Sequence, residues 1–381
     1  MNQVVCLSTS PWHPIPTRKQ QVMRRLPDAE ILYFDPPVTT IAKYKDPSAK
    51  QKAQAFRQPG EVIRPGLTVY AQPPVWPFFN KYRAINRRNQ KRLARFVQEK
   101  LCSHGFEKPI LWCYSPTACD IVNLIPHSAL IYDCVDRHSA YGGLMNPAVV
   151  DEMELDLARQ ADQVFATAQP LCDRLKSINA SAVCLPNGAD FARFSQAATA
   201  LPKPEELQDI TGPIFGFVGA LQACIEYDFL EAAAKARPDW TFVLIGREVA
   251  GVNLQTLHAL PNIRFLGLRP NEELPKYLAH FDACLNLFDA SPLSKDVSPL
   301  KFYEYLATGK PIVSTPQPAQ VLQYSSIIHV AHTPEAFIAA CEACLQDDGA
   351  QQARMDAGRA ASWDSRVEEM CHILKEKGIW K

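Results

Sequence analysis

Short apolar runs alternate along the whole chain with longer stretches in which apolar residues recur every three to four positions. In the first half VVCLSTS, EILYFDP, LTVYAQ, PILWCYS, SALIYDC, QVFATA and AVCLPNG read as strands, and in the second half so do IFGFVGA, WTFVLIG, IRFLGL, ACLNLF, PIVST and SIIHV. Such nearly continuous apolar runs suit parallel strands covered on both faces. Helical periodicity fills the intervals, in the second half near residues 226–236, 271–280, 299–308 and 333–346. Strands and helices taking turns predict an α/β fold with mostly parallel, doubly wound sheets. The segment ARFSQAATALPKPEELQDITGP keeps neither period and is rich in Ala, Pro and polar residues, so it is the expected linker between two such domains. A last stretch, MDAGRAASWDSRVEEMCHILKEKG, reads as helix beyond the second sheet.

The 381 residues, 47% of them hydrophobic and 21% charged, suffice for two packed cores. Forty basic and forty acidic residues cancel, so no net basic excess points to nucleic acid. The cancellation hides an asymmetry: residues 1–195 carry +7 and residues 196–381 carry −7. No apolar run nears the roughly 18 residues that span a bilayer. The opening MNQVVCLSTSPWHP shows neither basic leader nor apolar core of a signal peptide, and a cytoplasmic location is expected. The twelve cysteines, several within apolar runs, read as small buried hydrophobes, and the one CxxC, Cys341 to Cys344, lacks a second ligand pair.

The stretch SPLKFYEYLATGKPIVST, residues 298–315, carries the most chemistry. Ser298 is a good N-cap, Pro299 suits the first helical position, and Gly309 with Pro311 supplies the stop. Free N–H groups at such a helix start, with the dipole and Lys301 in the first turn, make a site for a diphosphate. Glu304, one turn on, has the two acceptor oxygens that the vicinal hydroxyls of a ribose need. A plain surface ion pair between Lys301 and Glu304 explains the same spacing.

With FGFVGAL and NIRFLGLRPNEELPKYLAHFDACLNLF before it, PLKFYEYLATGKPIV resembles the C-terminal half of GT-B glycosyltransferases of group 1, the family 4 type. Within that group the chain most resembles the teichuronic acid biosynthesis glycosyltransferases, and more distantly the glucuronosyltransferase of xanthan assembly. The resemblance implies a GT-B fold of two Rossmann-like doubly wound domains facing a cleft. It implies an acceptor-binding domain over residues 1–195 and a nucleotide-sugar donor domain over 196–360. Residues 361–381 would be a helix crossing back to the first domain.

On that resemblance Glu304 matches the second glutamate of the E-x7-E motif, and Asp296 stands at the first with a shorter reach. Gly219 and Ala220 match the glycine turn near the donor phosphates. Ser298 and Leu300 would present the helix start. Many relatives place Arg and Lys after the glycine turn, whereas ALQACIEYDFL offers Glu226 and Asp228. More of the leaving-group charge then falls to Lys301, the expected catalytic cation, with Arg269 a second cation or else a solvated loop arginine.

In the first half LIYDCVDRHSAYGG brings Asp133, Asp136 and His138 to the end of a strand. By the same resemblance Asp136 matches the acidic residue that often ends this strand in that family branch and would suit a general base on the acceptor hydroxyl, with a turn cap as the other reading; His138 is a weaker acceptor contact, or simply solvated. In the first βα loop, STSPWHPIPTRKQQVMRRL, Trp12 and Arg18 are acceptor-binding candidates, Arg18 either holding a phosphate or lying on a helix surface. Residues 75–100 hold eight basic residues and one acidic beside Trp76, Phe78 and Phe79. That segment suits an anionic membrane face, while a solvated helix and RNA contact are the other readings.

No GxGxxG follows a strand, no GxxxxGK[ST] occurs, and neither a DxD triplet nor a tight His/Cys set is present. The resemblance implies sugar transfer of the hexosyltransferase type, expected to need no metal and no cofactor. The donor is a nucleoside diphosphate sugar, a UDP-sugar in this expectation and UDP-glucuronate by resemblance only. The acceptor is a glycan or polyprenyl-linked glycan of cell-surface polysaccharide synthesis, reached by peripheral contact with the inner membrane face. The competing readings are a GT-B-like nucleotide-sugar epimerase and a non-catalytic glycan-binding or scaffold protein.

Overall fold

A computed structural model describes residues 1–42, 51–141, 143, 145–346 and 349–381. The chain forms two units, Met1–Pro186 with Val367–Lys381, and Asn187–Arg366.

The first unit is built on β1 (Asn2–Leu7), β2 (Ala29–Phe34), β3 (Glu61–Arg64), β4 (Leu67–Tyr70), β5 (Ile110–Cys113), β6 (Ala129–Cys134), β7 (Gln163–Ala166) and β8 (Ala182–Cys184). They pair in the order β3-β4-β2-β1-β5-β6-β7-β8, all parallel except β3 against β4. The order reverses direction between β1 and β5, and an open sheet of this kind takes its ligands beyond the strand ends at that point. The helix Arg83–Ser103 lies on the sheet because Leu93, Val97 and Leu101, spaced by four, bury one stripe. It stops at Gly105, whose φ of +68° suits glycine.

The second unit carries β9 (Ile214–Val218), β10 (Thr241–Ile245), β11 (Ile263–Gly267), β12 (Ala283–Asn286), β13 (Ile312–Ser314) and β14 (His329–Val330). Their order is β11-β10-β9-β12-β13-β14, every pair parallel, so the switch point falls between β9 and β12. Alternation explains why these strands read as unbroken apolar runs. Phe215, Phe217, Phe242 and Leu244 join one buried cluster, and Ile214, Val218, Val243 and Ile245 join the other. Both faces of the sheet are covered.

Three boundaries differ from expectation. The units divide between Pro186 and Asn187, ahead of the Ala/Pro-rich segment, because Phe194, Ala197, Leu207 and Ile210 are buried in the second core. The terminal stretch is two helices, Gln351–Ala360 and Trp363–Glu376, not one. Between them the Ala189 N–H donates to the Ala361 carbonyl at 3.0 Å, and the Trp363 N–H to the Ala189 carbonyl at 2.9 Å. These bonds take backbone groups that a continuous helix would use. From Val367 onward the last helix belongs to the first unit. Strand β3 carried no sequence signal, since EVIR is half polar and lies exposed at the antiparallel edge.

Candidate active site

The helix of the PLKFYEYLATGKPIV motif spans Leu300–Thr308, capped at its end by Gly309 in the left-handed conformation. Its N-cap is Pro299, with no side-chain cap. Ser298 is therefore not the cap expected of it. Its Oγ accepts the Asn187 N–H at 3.0 Å and its carbonyl accepts Asn187 Nδ2 at 2.8 Å, so a long-range partner has displaced the local one. Leu300 is the first helical residue, and the helix start keeps N–H groups without intrahelical partners. Those groups and the dipole favour an anion there.

Lys301 and Glu304 meet on this helix at 2.6 Å, Nζ to Oε2. The pair is not solvated like a surface pair. The Glu304 side chain is 11% exposed and the Lys301 side chain 29%, and the ammonium lies 5.7 Å from the Phe194 ring centroid. Burial pushes the Glu304 carboxyl above its ordinary value, against the pull of Lys301 and, more weakly, Arg193. Arg193 faces Asp190 at 3.7 Å and Glu272 at 3.4 Å. Glu304 thus offers a partly desolvated carboxylate with Oε1 free of protein hydrogen bonds among the described residues, one turn from an anion-favouring helix start. Asp296 is buried at the C-cap of the short helix Pro292–Lys295, two residues before Ser298.

At the switch point, the Gly219 N–H is spent on the Ile245 carbonyl at 2.9 Å and is not directed at a ligand. The glycine that allows this close approach is Gly246, where a Cβ would stand 1.7 Å from the Gly219 carbonyl oxygen. At Gly219 itself a Cβ would meet only the Phe217 ring, at 3.1 Å. Ala220 follows Gly219 in the same loop, half-buried. Across the switch point, Asp289 Oδ1 accepts from the Ser291 N–H at 3.0 Å and from the Ser294 hydroxyl at 2.7 Å. Glu226 has its carboxyl raised by burial first and then by Asp228 and Asp289. Arg269 is neither solvated nor on the motif helix: it pairs with Glu206 at 2.6 Å and lies over the Tyr277 ring.

In the first unit two candidates turn out to be built into the interior. Trp12 is 1% exposed, edge-on to Tyr33 with centroids 4.9 Å apart, and its backbone N–H donates to Asp35 Oδ1 at 2.8 Å. Arg18, 2% exposed, is not a helix-surface arginine: its Nε donates to Asp133 Oδ1 and Oδ2 at 2.9 and 3.0 Å, and Nη1 to the Leu185 and Pro186 carbonyls. Asp133 is fully buried at the end of β6. Asp136 and His138 lie just beyond it, both half-buried. The Tyr141 hydroxyl bonds to Asp136, and the buried Lys19 is near enough that the Asp136 charge offsets part of its burial penalty. Burial lowers the His138 pKa, keeping the imidazole neutral at pH 7, and its Nε2 is closed to solvent with no hydrogen-bond partner.

Burial also sets the state of Asp35, raising its carboxyl to about 6 against the Trp12 N–H bond and His13. A carboxyl raised above its ordinary value near 4 contributes stability below that pH and loses it as pH climbs through about 6. Asp35→Asn keeps an acceptor for the Trp12 N–H. It should match the wild type in thermal unfolding at about pH 4 and melt higher at about pH 7.5. An equal or lower melting temperature at the higher pH would contradict the assignment.

Residues 212–347 match the family model of glycosyl transferases group 1. That stretch is a group 1-type glycosyltransferase domain by this model, and the two parallel-sheet units share the GT-B fold of solved glycosyltransferases. Among curated relatives it is 29% identical over 294 residues to TuaH of Bacillus subtilis (strain 168), a putative teichuronic acid biosynthesis glycosyltransferase, across 72% of this chain and 73% of that one. Among solved structures, sucrose-phosphate synthase of Thermosynechococcus elongatus shares the fold with a TM-score of 0.70, 14% identity and 99% coverage of both chains. The E. coli trehalose-6-phosphate protein bound with UDP-2-fluoro glucose superposes at 0.72 with 13% identity, over 98% of this chain and 99% of its own. HepE of Anabaena in complex with UDP superposes at 0.68 with 13% identity, over 99% and 100%.

The motif helix and its carboxylate were legible in the sequence. The companions Asn187, Asp190, Arg193 and Phe194 were not: Asn187 lies in the run AVCLPNG read as a strand, and Arg193 and Phe194 lie in the segment read as the linker.

Proposed function

We propose that the protein moves a sugar from a UDP-sugar to a glycan or lipid-linked glycan in cell-surface polysaccharide synthesis. The carrying observation is the part-buried Lys301–Glu304 pair at the start of the motif helix within the group 1 domain. The helix start and Lys301 hold the diphosphate and offset charge developing on the leaving group, and Glu304 takes the ribose hydroxyls. No metal ion is required by this scheme. HepE binds UDP and UDP-glucose, and TuaH is assigned to teichuronic acid, which support the donor class and the cell-surface setting. Asp136 is the proposed general base on the acceptor hydroxyl. Glucuronate remains a candidate sugar because Lys301 can meet a carboxylate as well as a phosphate.

A nucleotide panel tests this reading: UDP, UDP-glucuronate, UDP-glucose, UDP-N-acetylglucosamine and GDP-mannose, followed by thermal unfolding. A ligand at about 100 times its Kd adds about 2.7 kcal/mol, a rise of roughly 5–10 °C for a domain of this size. One UDP-sugar should give that rise, and Glu304→Ala should remove it. By resemblance many relatives place Arg and Lys after the glycine turn where this chain has Glu226 and Asp228, which favours a scaffold as second reading; it predicts no shift with any nucleotide. An epimerase would interconvert UDP-sugars without acceptor.

The membrane contact belongs to the same proposal. Arg87, Arg88, Lys91, Arg92 and Arg95 are exposed along the helix Arg83–Ser103, near exposed Trp76, Phe78 and Tyr82, with Arg88 over the Trp76 ring at 4.4 Å. No helix among the described residues is long and apolar enough to cross a membrane. At about 1 kcal/mol per cation, exchanging Arg88, Arg92 and Arg95 for Glu should lower binding to phosphatidylserine-containing vesicles by about 100-fold or more, and leave neutral vesicles unaffected. Unchanged sedimentation with anionic vesicles would remove the membrane role.

A further inference from the structure

Strands β9 and β12 flank the switch point of the second sheet, yet they pair at only two positions, Phe215 with Ala283 and Gly216 with Cys284. β9 continues to Val218 and β12 to Asn286, so the two strands part toward their carboxyl ends. The Gly219 N–H turns to the Ile245 carbonyl of β10. Backbone groups alternate in direction along a strand, so the N–H and carbonyl of Val218 face the side that β12 has left. Val218 is 5% exposed, and buried backbone groups need partners.

One side chain of the motif helix serves both groups. The Tyr305 hydroxyl accepts the Val218 N–H at 2.8 Å and donates to the Val218 carbonyl at 3.3 Å. Tyr305 is 1% exposed and shares a buried cluster with Val218, Phe281 and Cys284. Burial pushes its phenol well above the usual value, so the hydroxyl keeps the proton that the second bond needs. Phe302 and Leu306 press the same helix into the core. Their apolar packing is non-directional, so it holds the helix against the sheet without fixing its rotation. The hydroxyl of Tyr305, with two aligned partners, does fix it.

We infer that Tyr305 is a positioning residue for the donor site: its hydroxyl ties the motif helix to the end of β9 and thereby sets the direction of the Glu304 carboxylate. Neighbouring residues lie about 100° apart around a helix, so any turn of the helix at Tyr305 swings Glu304 with it. A misplacement of about 1 Å in a group that orients a substrate can cost about 100-fold. The tie also explains why a tyrosine stands in an apolar cluster where a phenylalanine would pack without a polar atom to satisfy. What Glu304 holds, the ribose of a UDP-sugar, is taken from the proposed function, and the inference rests on that reading.

The test is a double-mutant cycle on the full chain, with UDP as the probe and its Kd measured by titration calorimetry. Tyr305→Phe keeps the ring and removes the hydroxyl, and it should weaken UDP about tenfold or more. In a Glu304→Ala background the same substitution should cost less than about threefold, because the carboxylate it positions is gone. A hydroxyl with a merely structural role would lower the melting temperature in both backgrounds and leave the Kd alone. A Kd within about threefold of wild type in Tyr305→Phe, or an equal loss in both backgrounds, would overturn the inference. Should Tyr305→Phe fail to fold, amide exchange in the wild type decides. UDP should then slow exchange of the Val218 amide about tenfold or more, and unchanged exchange would overturn the inference. A wild type that binds no UDP would count against the donor reading and take this inference with it, whereas wild-type binding indifferent to Tyr305→Phe removes the inference alone.

Discussion

Lys301→Ala lowers turnover about 10²- to 10³-fold while the KM for the UDP-sugar rises far less. That magnitude is typical of removing one group aimed at charge that develops in the transition state, and the split follows because the charge on the departing diphosphate is greatest there. The substitution has a structural side effect that the assay must separate. Glu304 is buried and paired with Lys301 at 2.6 Å, so the single variant leaves a carboxylate underground without its cation. Burial already raises the Glu304 carboxyl, and loss of Lys301 raises it further. A group raised in the folded state contributes stability at low pH and loses it as pH increases, so Lys301→Ala should lose more stability at pH 8 than at pH 5. Adding Glu304→Gln removes that pH dependence without restoring turnover. Full recovery of turnover in the double variant would mean that Lys301 serves only to neutralise Glu304.

Arg18→Met should cost the first unit about 3–5 kcal/mol, because Asp133 is left fully buried with no partner for either oxygen now held by Nε. For a domain of this size that is a fall of roughly 10 °C or more in Tm. Replacing Asp133 by Leu in the same chain should recover much of the loss, since a buried ion pair exchanged for apolar side chains is often neutral. Recovery stays incomplete because the Leu185 and Pro186 carbonyls still lose the Nη1 donor. A melting temperature within about a degree of wild type in Arg18→Met would show that the pair is not the buried strut described. Nucleotide binding should survive in the double variant, which separates this residue from the donor site.

The parallel strands were legible because each is buried on both faces and so reads as an unbroken apolar run. What escaped were features fixed by partners far away in the chain. Ser298 has every local mark of an N-cap, yet its hydroxyl is held by Asn187, 111 positions earlier. Arg18 reads as the first residue of a surface helix, and only the fold brings it against Asp133, 115 positions on. The glycine of FVGAL drew attention through its motif, while Gly246, in an ordinary strand end, is the one with no room for a side chain. Asn86, Asn89 and Gln90 are buried on the face of the helix Arg83–Ser103 away from its exposed arginines, and partners distant in the chain, Trp76, Thr117 and Asp120, hold Asn86 and Asn89 there.

The central claim is sugar transfer from a UDP-sugar through the motif helix, and the most direct measurement is product formation. The UDP-sugar that stabilises the protein is incubated with polyprenyl-linked glycans, and the acceptor mass and released UDP are followed together. The account predicts one sugar added per UDP released, reduced at least 100-fold in Lys301→Ala. A donor that binds tightly yet yields no UDP with any acceptor, or is converted to an epimer with none present, would contradict it.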